Sequence, residues 1–260
     1  MLAIVLSRRD FREFDQIVSV YTYEAGKREL LARGIKKITS KHAAHLEPFS
    51  VVDVSVVPGK EIDHLTTVQP VEYFPAIRGD FKKSFLAMAM VMITDRLVGT
   101  HVPDKGLFRA LKTWLEAVSQ APAAAGALAD AYVMVILERL GLAPVLEGCV
   151  CCGKTFSGIG REALKPGEDT APGIYFGGGG LACPDCRRLK LAAGEQVMAA
   201  GLKEISLLGL LLKGDWRLIN NYEFGSGEAE RLHDLVYAFA LYHSERKLGD
   251  WGNLPLEPKF

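Results

Sequence analysis

Two cysteine pairs, Cys149-x-x-Cys152 and Cys183-Pro-Asp-Cys186, constrain this chain more than any other feature. Two residues between cysteines put both sulfurs on one tight knuckle, and two knuckles can converge tetrahedrally on a d¹⁰ ion such as Zn²⁺. Gly153 after the first pair and Pro184 inside the second supply the turns. The 30 residues between Cys152 and Cys183 exceed the roughly 15–20 of the general pattern. The interval must therefore carry its own hairpin, expected as Gly173–Phe176 against Gly180–Ala182. Four thiolates leave no open position, so a single structural zinc ion on Cys149, Cys152, Cys183 and Cys186 is expected, without metal catalysis. The alternatives are reduced structural cysteines or a disulfide pair. Cys151 is expected to stay a free thiol.

Five cysteines are an odd number, and Met1–Arg9 has its charges after a short apolar run, the wrong order for a secretory signal. Both points suggest a reducing, cytoplasmic setting. The longest uncharged apolar stretch, Ser84 to Thr94, falls short of the roughly 20 residues a membrane span needs. A soluble protein is expected.

Around the cysteine module the hydrophobic pattern changes twice. Gln16–Tyr23 and Phe49–Val57 are β-branched and aromatic and run into Ala25-Gly26 and Pro58-Gly59, so residues 1–78 are expected to form a small barrel. From Asp80 the apolar residues Phe81, Phe85, Met88, Ala89, Met92 and Ile93 recur at helical steps. Further helices are expected from about Asp104 to Ser119, burying Leu107, Phe108, Leu111 and Leu115, and from about Ala123 to Leu140. Residues 79–147 thus read as the first part of a helical bundle and 148–188 as the four-cysteine insertion. Residues 189–260 read as the second part of the bundle, with helices at Glu195–Leu212 and Gly227–Lys247, and a tail from Leu254. The fold class is α+β.

Lys plus Arg and Asp plus Glu both number 31, so any basic surface must be local. The local excess lies at residues 27–41, where Lys27, Arg28, Arg33, Lys36, Lys37 and Lys41 face Glu29 alone. On a small barrel such a run suits a polyanion, with Tyr21, Tyr23 and Phe14 as candidates for base stacking. Its alternative is a solvated loop guarding an edge strand. Arg8, Arg9 and Arg12 add charge near the first turn, offset by Asp10, Glu13 and Asp15. No phosphate-binding loop, dinucleotide fingerprint, His-Glu-x-x-His or nucleophile elbow occurs, and no catalytic constellation emerges.

Taken together, the chain resembles the RecO family of bacterial recombination mediators. The resemblance rests on Ile4-Val-Leu-Ser, Phe14 to Gly26, Ala32-Arg-Gly-Ile-Lys-Lys with Ser40, and Leu46-Glu-Pro-Phe49. It continues through Leu140-Gly-Leu-Ala-Pro-Val-Leu, Cys149 to Gly153, and Gly179 to Cys186. It implies an OB-fold barrel, binding of single- and double-stranded DNA, strand annealing, and cooperation with RecR and single-stranded-DNA-binding protein in loading recombinase. By the same analogy Arg33, Lys36, Lys37 and Lys41 fall in the family's basic barrel segment, and the cysteines match its zinc-binding variant. The chain departs from the family in an insertion around Ser157–Pro172 and in a helical half without visible basic excess. The other functional reading is a protein-docking scaffold whose helices take a partner's acidic, aromatic-ended tail, with little DNA binding.

Overall fold

The computed structural model describes residues 1–37, 40, 43–121, 126–155, 171–244 and 248–252. The chain forms two compact units, Met1–Ala125 with Leu248–Phe260, and Gly126–Lys247.

The first unit opens with strands β1 (Leu2–Asp10), β2 (Gln16–Thr22), β3 (Gly26–Ala32), β4 (Val51–Val57) and β5 (Asp63–Glu72), closed into a barrel in the order β1-β2-β3-β5-β4. Strands β1 to β3 form an antiparallel meander, and a short parallel pairing of Leu30 with Asp63 and Leu31 with His64 closes the ring. This is the five-stranded Greek-key arrangement of OB folds. Ala3, Val5, Val18, Val20, Leu30, Val52 and Val54 fill the interior, as β-branched residues at every second position of a pleated strand should. Gly26 begins β3 at φ 68°, and a Cβ there would collide with the Val102 carbonyl. Strand β4 starts two residues later than Phe49, because Phe49 sits at φ 57° and cannot be extended.

Helices α1 (Pro75–Arg78), α2 (Phe81–Leu97) and α3 (Lys105–Gln120) complete this unit. Asp80 caps α2 through the Lys83 N–H, and Asp104 caps α3 through the Gly106 and Leu107 N–H groups. In α3 the expected residues Leu107, Phe108, Leu111 and Leu115 are buried, joined by the fully buried Trp114. The expectation for α2 is corrected: it buries Leu86, Ala87, Met90, Val91, Ile93 and Thr94, while Phe81, Met88 and Met92 of the expected stripe are exposed. Both faces of this segment are apolar, so periodicity alone could not choose between them. Lys83, also on the buried side, donates to the carbonyls of Ser119 and Ala121 and so caps the C-terminal end of α3 with a cation.

In the second unit α4 (Gly126–Arg139) is buried at every position from Ala127 to Leu137 and packs on α6 (Leu202–Leu212), α7 (Trp216–Asn220) and α8 (Glu228–Ser244). Between α4 and α6 lie β6 (Gly173–Tyr175), β7 (Gly180–Ala182), α5 (Pro184–Ala192) and β8 (Val197–Ala199). They build a small sheet in the order β7-β6-β8. The expected hairpin forms with Gly173 opposite Ala182. The expected helix from Glu195 is corrected: Val197–Ala199 is a strand, and the helix starts at Leu202 after the Gly201 break. Helix α7 is an element that the hydrophobic pattern does not predict. Residues 122–125 and 245–247 of the expected helices, the insertion at 156–170 and the tail from Leu254 lie outside the described residues.

Candidate metal centre and nucleic-acid interface

The four expected cysteines converge. The Sγ atoms of Cys149, Cys152, Cys183 and Cys186 all lie within 4.8 Å of one another. The Cys152–Cys183 separation is 3.8 Å, about the edge of a tetrahedron of sulfurs around zinc at roughly 2.3 Å.

Local geometry explains the convergence. In the first knuckle the Cys149 N–H bonds the Lys154 carbonyl at 2.8 Å, and the Gly153 N–H returns to the Cys149 carbonyl at 2.9 Å. In the second, Cys183 is the N-cap of α5 with Pro184 behind it, which turns Cys186 back in the first helical turn. The hairpin delivers Cys183 to the first knuckle: the Val150 N–H bonds the Leu181 carbonyl, and the Cys183 N–H donates to the Cys149 sulfur at 3.3 Å. The glycine run permits this approach, since a Cβ on Gly180 would stand 2.6 Å from the Val145 carbonyl oxygen. Burial pushes the Cys149 thiol up, but the backbone N–H groups of Cys183, Cys152 and Cys151 outweigh it and bring it down to about 6. That sulfur is ready for metal ligation, while burial and the neighbouring sulfurs push the Cys183 and Cys186 thiols up, so these two must give up their protons when an ion binds. Cys151 is exposed and outside the cluster. The donor set fits one metal ion with no coordination position left over.

The cations expected to meet DNA are divided by the fold. Lys27 is held 3.0 Å from Asp95 on α2 and donates to the Asp95 and Val98 carbonyls. Arg28 pairs with Asp63, and Arg8 with Glu47 at 2.7 Å. Those three side chains are at least three-quarters buried. Arg9 is exposed and pairs with Glu29, and the exposed Lys36 pairs with Asp10 at 2.8 Å. Arg33 and Lys37 are exposed with no carboxylate within ion-pair distance among the described residues. Lys41 lies outside the described residues.

The residues after β3 do not stand alone. The Gly34 N–H bonds the Asp15 carboxylate at 2.8 Å and the Lys36 N–H bonds the Phe14 carbonyl at 3.1 Å, pinning this loop to the β1–β2 turn. Arg9, Arg12, Arg33, Lys36 and Lys37 therefore share one end of the barrel.

The aromatic candidates part in the same way. Tyr21 is fully buried, its hydroxyl meeting the backbone of Asp104. Tyr23 packs edge-to-face on Phe108 and accepts from Arg109. Phe14 is exposed, with Lys37 over its ring. Sequence reasoning missed Phe11, equally exposed on the same turn under Arg12. An aromatic residue flanked by charge, in a segment too short to need a core residue, was the signal available.

No described helix is long and apolar enough to cross a membrane.

The chain matches the family described as Recombination protein O N terminal over residues 1–74, and Recombination protein O C terminal over residues 78–252. It is 29% identical over 248 residues, 95% of this chain and 94% of the relative, to a DNA repair protein RecO of Nocardioides sp.. The two matches leave only residues 75–77 and 253–260 uncovered: the chain belongs to the RecO family of DNA repair proteins.

Proposed function

We propose that this protein is a non-enzymatic recombination mediator that binds single- and double-stranded DNA, promotes annealing of complementary strands and helps load recombinase during repair. The observation that carries the reading is the joined pair of loops at one end of the barrel, where Arg12, Arg33 and Lys37 are exposed without carboxylate partners among the described residues. Annealing needs phosphate repulsion screened while bases stay free to pair, and a cluster of long cationic side chains on a rigid barrel does that without covalent chemistry. Zinc is the metal best suited to four thiolates at this spacing, and its role is to tie α5 and the β6–β7 hairpin into one module. The setting is the cytoplasm, at the nucleoid, and RecR is the expected co-mediator through family membership.

The test is fluorescence anisotropy of a labelled strand at two salt concentrations, with Lys36→Ala/Lys37→Ala as comparison. Binding by the double variant should weaken for all sequences, and its log–log salt slope should flatten by about 1.4. Unchanged affinity and slope would remove this surface from DNA binding.

A second reading concerns partner docking and is favoured by the corrected face of α2. Phe85, Met88, Ala89, Met92 and Ile93 line a cavity of about 190 Å³ with Arg96, Gly249 and Asp250 at its rim. An apolar slot on a helix face suits the aromatic end of a partner's tail, such as the C-terminal tail of single-stranded-DNA-binding protein. Loss of tail-peptide binding in Met88→Glu, with DNA affinity retained, is the expected result.

A further inference from the structure

Phe11 and Phe14 are hard to account for by packing. They are 45% and 44% exposed on the tight β1–β2 turn, where the Phe11 and Arg12 N–H groups both reach the Asp15 carbonyl and the Asp15 N–H returns to the carbonyl of Arg12. The two exposed phenyl rings on so short a segment contribute no core, and they lie close enough together to offer a shared apolar surface to a ligand. Each ring already has a cation over it: the Arg12 guanidinium 5.1 Å from the Phe11 centroid and the Lys37 ammonium 5.7 Å from that of Phe14. The turn itself is fixed, because the Asp15 carboxylate accepts from the Gly34 N–H and the Phe14 carbonyl accepts from the Lys36 N–H. Rigid aromatic faces beside cations reproduce the two components of single-strand binding, a stacking surface for bases and a basic track for phosphates.

We propose that Phe11 and Phe14 form a stacking platform for unpaired bases, with Arg12, Arg33 and Lys37 on the adjoining phosphates, so that this end of the barrel prefers single strands to duplex. The inference rests on the DNA-binding reading and adds a chemical requirement to it: the strand must offer bare base faces. In a duplex those faces are covered by neighbouring pairs, and only the phosphate contacts remain. Both rings sit on the surface, outside the barrel's core, so they can be replaced without disturbing it.

The experiment titrates the full-length protein into three labelled probes, oligothymidylate, an abasic strand of equal length and a duplex, with Phe11→Ala/Phe14→Ala beside the parent. Stacking at the low end of its range is worth about fivefold per ring, so affinity for oligothymidylate should fall about 30-fold. Affinity for the abasic strand and the duplex should hold within about twofold, and the salt slope should not change, because no cation is removed. The Phe11→Trp/Phe14→Trp variant should retain single-strand affinity and show tryptophan quenching on oligothymidylate but not on the abasic strand. Parental affinity of the alanine variant for oligothymidylate, or an equal loss on the abasic strand, would overturn the platform while leaving DNA binding intact. Failure of the parent to bind any probe at low salt would instead remove the DNA-binding reading and the platform with it.

Discussion

Asp95→Ala tests whether Lys27 builds the fold. The Asp95 carboxylate, 22% exposed, accepts from Ser7 at 2.6 Å and Ser19 at 2.7 Å and faces Lys27 at 3.0 Å, where the lysine is 14% exposed. Three side chains of the barrel thus converge on one carboxylate of α2. Removing a partner from a buried, hydrogen-bonded ion pair costs about 3–5 kcal/mol. Partial exposure and the carbonyls that still receive Lys27 argue for the lower end, about 3 kcal/mol. For a unit of this size that lowers its melting transition by about 10 °C. Differential scanning calorimetry reads this directly. Lys27→Met combined with Asp95→Leu should recover part of the loss, since no charge is then left stranded.

The same site fixes a pH signature. Burial raises the Asp95 carboxyl, but the bonds from Ser7, Ser19 and Lys27 outweigh it and hold the group below its ordinary 3.8. A carboxyl lowered on folding stabilises the protein above its unfolded pKa and loses that contribution as pH falls through the folded value. The difference between the parent and Asp95→Ala should therefore be largest at neutral pH and shrink as pH falls below about 3.8 towards the folded value. A transition shifted by less than about 2 °C, or a difference that does not shrink at low pH, would refute the ion-pair account.

Three further outcomes are expected. Cys152→Ser should bring bound zinc below one equivalent while Cys151→Ser leaves it at one, as measured by zinc release to a chromogenic chelator after thiol modification. Met90→Ala should cost about 2–4 kcal/mol in urea unfolding and Met88→Ala less than about 1 kcal/mol, because only the first is buried. Arg78→Lys should destabilise by about 2 kcal/mol in the same assay. The guanidinium stacks between Phe49 and Tyr73 and donates to Pro48, Ser50 and Tyr73, a planar geometry that an ammonium cannot reproduce.

The four-cysteine cluster was legible because its members announce themselves by spacing, and each knuckle is closed by bonds between residues a few positions apart. The barrel was legible through β-branched and aromatic runs that end in turn residues, and α3 through a one-sided apolar stripe. What failed had no local signal. Helix α2 is apolar on both faces, so only its packing could show that Met90 lies inside and Met88 outside. Strand β8 has three residues and precedes a long apolar helix, so its pattern merged into that of α6.

The basic segment shows why charge runs alone mislead. Six cations between residues 27 and 41 look equivalent in one dimension. In β3, however, neighbouring positions point to opposite faces, and Lys27 and Arg28 meet Asp95 and Asp63, 68 and 35 residues away. Past Ala32 the strand ends, and Arg33, Lys36 and Lys37 sit on a loop tied to the β1–β2 turn by the Gly34 N–H on the Asp15 carboxylate, the Lys36 N–H on the Phe14 carbonyl and the Lys36–Asp10 pair. Cations whose carboxylates are desolvated with them add little field to a passing polyanion, because each pair is close to neutral at a distance. Arg33 and Lys37 on the loop, with no carboxylate within ion-pair distance among the described residues, keep their charge available. It follows that Lys27→Met should lower stability with little change in the salt dependence of DNA binding, while Lys37→Ala should do the reverse. A variant of Lys27 that kept full stability and lost DNA affinity would place the binding surface on the barrel wall instead of its end.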